Sequence, residues 1–153
     1  MSNASYMRQE IEEIPLAIRR LLDDGRETFA KAGAALREKN PSTIVTIARG
    51  SSDHASSFLK YAIELLAGVP VASVGPSIVS IYGRELKLSH AAAIAISQSG
   101  KSPDIVAMAQ SARKTGALTF ALPNTPDSPL AAASAASPAS ASTAPTTRKP
   151  SPR

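Results

Sequence analysis

In the stretch AAIAISQSGKS, Ala92 to Ser102, a run of small and branched apolar residues breaks off into hydroxyls around one glycine. A helix-like run, Asp104 to Thr115, follows at once. A buried strand that stops in a Ser/Gly loop and feeds a helix builds an anion pocket. The first N–H groups of that helix lack intrahelical partners, and the aligned peptide dipoles add partial positive charge there. Ser97, Ser99 and Ser102 can add hydroxyl donors, and Gly100 can let the backbone approach a ligand closely. The guest that suits such a pocket is a phosphate group.

Three further strand-like runs surround this one. Thr43 to Ala48 is β-branched and ends at Arg49-Gly50-Ser51-Ser52, before a helix over Asp53 to Leu66. Val71 to Val74 is bounded by Gly68, Pro70, Gly75 and Pro76, with a short helix or loop over Ile78 to Tyr82. Leu118 to Leu122 ends at Pro123-Asn124-Thr125-Pro126. Strands that alternate with helices predict an α/β fold, a parallel sheet covered on both faces. Ligands of such sheets sit beyond the carboxyl ends of the strands. If the strands before Gly50 and before Ser97 are neighbours, Ser51 and Ser52 face the same crevice as the SQSGKS loop. The bland reading of Ser51 and Ser52 is a helix cap, with Asp53 meeting the dipole.

Before the sheet, Arg8 to Leu22 and Asp24 to Lys39 read as two helices. Ile11, Ile14, Ile18, Leu21 and Leu22 recur at helical spacing, as do Phe29, Ala32 and Leu36. Pro15 is expected to divide the first, and Asn40-Pro41 to stop the second. Residues 1–5, with Ser2-Asn3-Ala4 after Met1, read as an expression scar. From about Leu130 onward the chain becomes Ala, Ser, Thr and Pro with a basic end. Such a segment buries too little apolar surface to offset its ordering entropy, so a disordered tail is expected, with the domain ending near residue 133 and the tail running 134–153.

Composition narrows the function. The 153 residues make one domain, and aromatics are only 4%, so Ala, Ile, Val and Leu must build the core. The absence of cysteine excludes disulfides and thiolate chemistry. Two histidines without HxxxH or HxH spacing give no reason to expect a metal, and nothing calls for a cofactor. No apolar run nears the ~20 residues of a membrane span, and no secretory h-region opens the chain, so a cytoplasmic protein is expected. The net charge of +5 falls to +3 without residues 127–153, a mild excess that suits a small anion. No basic stripe with interleaved aromatics suggests nucleic acid.

A neighbouring motif must be weighed. Ala95 to Ser102, AISQSGKS, is one residue from the P-loop pattern G-x-x-x-x-G-K-[ST], which would make the chain a nucleotide hydrolase. The missing glycine falls at Ala95, inside the strand, where a P-loop must turn. No later strand ends in an Asp for the metal.

Three segments together resemble the sugar isomerase (SIS) family, and within it the isomerase portion of glutamine–fructose-6-phosphate aminotransferases and glucosamine-6-phosphate deaminase-like proteins. Tyr6-Met7, Glu10-Ile11, Glu13 and Pro15 are similar to the helix that opens that portion. Arg49 to Ala55 resembles Cys-Gly-Thr-Ser-x-His-Ala, and Ile94 to Ser102 resembles Ala-Ile-Ser-Gln-Ser-Gly-Glu-Thr. The resemblance implies a flavodoxin-like three-layer sandwich. It implies that Ser97, Gln98, Ser99 and Ser102, with Gly100, hold a sugar phosphate, and that Ser51 and Ser52 close the pocket. Fructose-6-phosphate and glucosamine-6-phosphate are the implied ligands, and the implied parent activity is amination, deamination or aldose–ketose isomerisation. A single phosphosugar-sensing regulatory module is the alternative, although no DNA-binding helix pair is evident.

The departures shape the remaining expectations. Arg49 replaces Cys, and Lys101 replaces Glu. Family members carry two SIS domains, with the acid/base residues beyond the point this chain reaches, so little turnover is expected from it alone. A fifth strand should follow Ser134, and its replacement by the Ala/Ser/Pro tail suggests truncation or a frameshift. Lys101, His90, Glu10 and Glu13 read as surface charges, and His54 as a structural or interface residue. Family members dimerise, and the apolar positions from Ile11 to Leu22 also need cover, so a homodimer is expected.

Overall fold

A computed structural model describes residues 5–134. Residues 1–4 of the expected scar (1–5) and residues 135–153 of the expected tail (134–153) lie outside them. The order of elements is α1 (Tyr6–Lys39), β1 (Thr43–Ile47), α2 (Ser51–Ala67), β2 (Val71–Ser73), α3 (Ser77–Ser80), β3 (Ala91–Ser97), α4 (Pro103–Lys114), β4 (Leu118–Pro123) and α5 (Pro129–Ala133). All four strands are parallel, in the order β2-β1-β3-β4.

Strand alternation sends successive side chains to opposite faces, and the two faces have different occupants. On one, Val45, Ile47, Ala91, Ala93, Ala95 and Ala121 meet Ile105, Met108, Ala109 and Ala112 of α4 and Leu130 and Ala133 of α5. Alanines at positions 91, 93 and 95 of β3 on this face let α4 approach closely, and Met108, wholly buried, fills the space they leave. On the other, Ile44, Val71, Ala92, Ile94 and Phe120 meet Ala32, Ala35 and Leu36 of α1 and Leu59 and Ile63 of α2. The result is the expected three-layer sandwich.

The strand order fixes the location of a ligand crevice. β1 continues through α2 to β2 on one side, whereas β3 continues through α4 to β4 on the other. The connection therefore reverses direction between β1 and β3, and right-handed crossovers place α2 and α4 on opposite faces. That reversal opens a crevice at the carboxyl ends of these two strands.

Two expectations need correction. The N-terminal extension is one helix of 34 residues, which Pro15 does not divide. A proline in a helix removes a single i→i−4 bond, and here the orphaned Ile11 carbonyl lies in an exposed stretch where water can serve it. Across Asp24-Gly25 the helix continues because Gly25 gives room for the ring of Phe29 one turn later. Ser5, at the end of the assigned scar, caps this helix by accepting from the Arg8 N–H at 3.4 Å. The helix stops before Pro41 as expected, with Asn40 at its end in the left-handed conformation.

Leu130 is the second correction. It does not begin a structureless segment: it is completely buried, within a short helix that Ser128 caps. Its backbone N–H donates to the Gly100 carbonyl at 3.1 Å, so this helix is fastened to the SQSGKS loop.

Helix α1 overshoots the sheet. At 1.5 Å per residue, its 34 residues span about 51 Å, whereas the seven residues of β3 span about 23 Å. Lys39 pins its C-terminal end to the start of the sheet by donating to the carbonyls of Ser89, at 2.8 Å, and Gly116, at 3.1 Å. The N-terminal half therefore runs past the carboxyl ends of the strands.

Candidate functional site

Of the predicted site residues, Ser51, Ser52 and Gln98 line one cleft at the carboxyl ends of the strands, whereas Ser97, Ser99, Gly100 and Ser102 are not among its lining residues. β1 and β3 pair from Thr43 with Ala91 to Ile47 with Ala95, so the chain leaves both strands on the same edge of the sheet. A cleft of about 540 Å³ opens there, and Ser51, Ser52, Gln98 and Asn124 are its polar lining. The Asn124 N–H donates to the Gln98 carbonyl at 3.2 Å, which ties the loop after β4 to the loop after β3.

The serines occupy three different environments. Ser51 and Ser52 are the first two residues of α2, and Gly50, at φ 58°, holds the cap position without a side-chain bond. The capping reading of these serines is therefore incorrect, and their hydroxyls have no partner among the described residues. Ser102 stands at the cap position of α4, also without a side-chain capping bond. Pro103 at the first helical position has no N–H to offer, and its fixed φ suits a helix start.

Ser97 and Ser99 instead shape their own loop. The buried Ser97 accepts from the Gly100 N–H at 3.3 Å, and Ser99 accepts from the Lys101 N–H at 3.2 Å. A hydroxyl that accepts a backbone N–H keeps its own hydrogen for donation. Both can thus donate to a phosphate oxygen while holding the turn.

Gly100 differs from its expected role. It has φ 63°, it is buried, and its open side faces Ser128 rather than the cleft. Its lack of a side chain admits another part of the same chain, not a ligand. Lys101 is exposed, as expected. Ala95 lies wholly buried inside β3, paired with Ile47 and Ala121, which leaves no P-loop turn.

The sequence reading missed one wall of the cleft. Ala17, Ile18, Leu21 and Phe29 of α1 line it opposite the strand ends. Their helical spacing was visible, but an apolar helix face does not reveal what it will face. Among the described residues, no three His, Cys, Asp or Glu side chains gather as a metal site would require.

This arrangement is matched in known proteins. The SIS domain family profile matches residues 36–151, most of the chain. The chain belongs to the SIS domain family. Its match begins at the end of α1 and runs beyond the described residues. A glutamine–fructose-6-phosphate aminotransferase (isomerizing) of Symbiobacterium thermophilum is 33% identical over 128 residues, 79% of this chain and 21% of that protein. The chain thus spans about a fifth of the length of the curated relatives it matches.

Solved SIS structures agree. A structure from Silicibacter pomeroyi DSS-3, assigned as a phosphosugar isomerase, superposes with a TM-score of 0.83 at 55% identity, over 86% of this chain and 40% of that one. The C-terminal domain of glucosamine-fructose-6-phosphate aminotransferase from Francisella tularensis gives 0.73 at 27% identity, over 88% and 39%. This SIS domain therefore has both aminotransferase and phosphosugar isomerase relatives. Among the described residues, no helix is long and apolar enough to cross a membrane.

Proposed function

We propose that this SIS domain binds a sugar phosphate in the crevice between β1 and β3. Ser97, Gln98, Ser99 and Ser102 hold the phosphate, and Ser51 and Ser52 close over it from α2. The observation that carries this reading is the convergence of two hydroxyl-bearing helix starts at one topological reversal. Each helix start offers backbone N–H groups, and Ser51 and Ser52 add hydroxyls to the cleft lining, a set that suits an oxyanion better than a neutral group. Gly100 supports the site from behind.

The parent activity is amination, deamination or isomerisation of fructose-6-phosphate or glucosamine-6-phosphate. The relatives' activities and the anion-binding design of the crevice support it. The serines, Gln98 and Asn124 bind and orient; none of them is a strong base. Calorimetric titration of the chain with fructose-6-phosphate, and with fructose as a control, tests the reading. Binding of the phosphorylated sugar alone is expected. Equal or absent binding of both overturns it.

The chain also acts as a homodimer in this proposal. Ile11, Ile14, Ile18 and Leu22 on α1, and Phe58, Tyr61 and Leu65 on α2, are all at least half exposed. So many large apolar groups on a monomer mark a contact surface. Light scattering at two concentrations checks this, and a concentration-independent monomer mass would refute it. The location is cytoplasmic, because a phosphorylated sugar is too charged to leave the compartment that makes it by crossing a bilayer.

A further inference from the structure

Arg49 and Asp104 link the segment before α2 to the first turn of α4. Arg49 directly precedes Gly50-Ser51-Ser52, and Asp104 is the second residue of α4, two beyond Ser102. Arg49 Nε lies 2.7 Å from Asp104 Oδ2. The Nε–H does not aim at that oxygen, which is buried without a hydrogen bond, so charge is what the two groups share. The Asp104 side chain is 18% exposed, against 57% for Arg49. Water screens this carboxylate poorly.

A carboxylate in the first turn of a helix stabilises the empty helix by meeting its dipole. It also opposes any anion that binds at the same end, because like charges repel strongly where screening is weak. Asp104 unopposed would therefore work against a phosphate beside Ser102. The other nearby charges, Lys101 and Asp53, are exposed, so water and salt weaken them. We infer that Arg49 cancels the charge of Asp104 and so keeps the α4 end of the crevice receptive to a phosphate dianion. Arg49 acts through Asp104 and is a positioning residue, not a contact of the ligand. The assignment rests on the phosphate reading of the crevice.

Titration of the full chain with fructose-6-phosphate at low salt tests it through four variants. Arg49→Ala leaves the carboxylate unopposed and weakens binding roughly tenfold. Arg49→Ala combined with Asp104→Asn removes both charges and recovers to within about threefold of the unmodified chain. Arg49→Lys keeps the charge and stays near the unmodified affinity. Asp104→Asn alone binds at least as tightly as the unmodified chain, whereas a carboxylate that merely oriented a ligand-binding arginine would be missed. Unchanged binding by Arg49→Ala, no recovery in the double variant, or weaker binding by Asp104→Asn each overturns the assignment. If circular dichroism shows Arg49→Ala unfolded, the double variant and Asp104→Asn decide, since neither holds an unpaired carboxylate. If the unmodified chain binds neither fructose-6-phosphate nor inorganic phosphate, the phosphate reading fails and this assignment falls with it. If it binds but the variants are indifferent, only the role of Arg49 is lost.

Discussion

A Cβ built on Gly100 would stand 2.5 Å from the Cβ of Ser128 and 3.1 Å from that of Pro123. The loop after β3 and the start of α5 thus touch through the one residue that has nothing to collide. The left-handed φ at this position adds a second reason for glycine. Gly100→Ala is expected to cost about 2–5 kcal/mol, from left-handed strain together with overpacking. Urea denaturation measures it. An unchanged midpoint would show that the loop and α5 are not packed together.

Ser99→Ala separates ligand binding from loop architecture. Its hydroxyl accepts one exposed backbone bond, from Lys101, so its loss should cost the fold less than about 1 kcal/mol. If the hydroxyl also donates to a charged phosphate oxygen, affinity for the sugar phosphate falls by about 1–3 kcal/mol. Paired calorimetry and thermal melts compare the two effects. Equal affinity would remove Ser99 from the site.

Leu130→Ala tests whether residues 129–133 belong to the core. A wholly buried leucine cut to alanine leaves a cavity, and a loss of about 2–5 kcal/mol is expected. Because the Leu130 N–H bonds to the Gly100 carbonyl, the crevice loop should loosen as well. Faster amide exchange across 97–102 would report it. A substitution tolerated without loss would return this segment to the tail.

The sequence disclosed the layers because each strand had an unmistakable carboxyl end. The serines after Ile47 and Ile96 marked the crevice, and β-branched and alanine-rich runs marked the strands. Three features escaped for physical reasons. Pro15 signals a break, yet in an exposed helix a single missing bond is met by water. Leu130 sits among alanines and serines, so no local pattern shows that tertiary packing covers it. Gly100 reads equally well as a ligand contact or as a close approach of the chain to itself, and only the position of Ser128 decides between them. The apolar wall from Ala17 to Phe29 was legible as an amphipathic face, while its partner depended on how far α1 overshoots the sheet.

Pro15→Ala asks whether that overshooting half of α1 folds with the rest of the domain. Alanine restores the missing N–H and is about 3 kcal/mol more favourable than proline inside a helix. Met7, Ile11, Ile14 and Leu16 are all at least half exposed, so the gain should remain local in the isolated monomer. Amide exchange over residues 8–20 is expected to slow while the urea midpoint stays nearly constant. At concentrations where the chain dimerises, the same variant should raise the midpoint if α1 is buried between the two copies. A midpoint that rises fully even in dilute monomer would place this half of α1 inside the cooperative core, against the exposure of its apolar side chains.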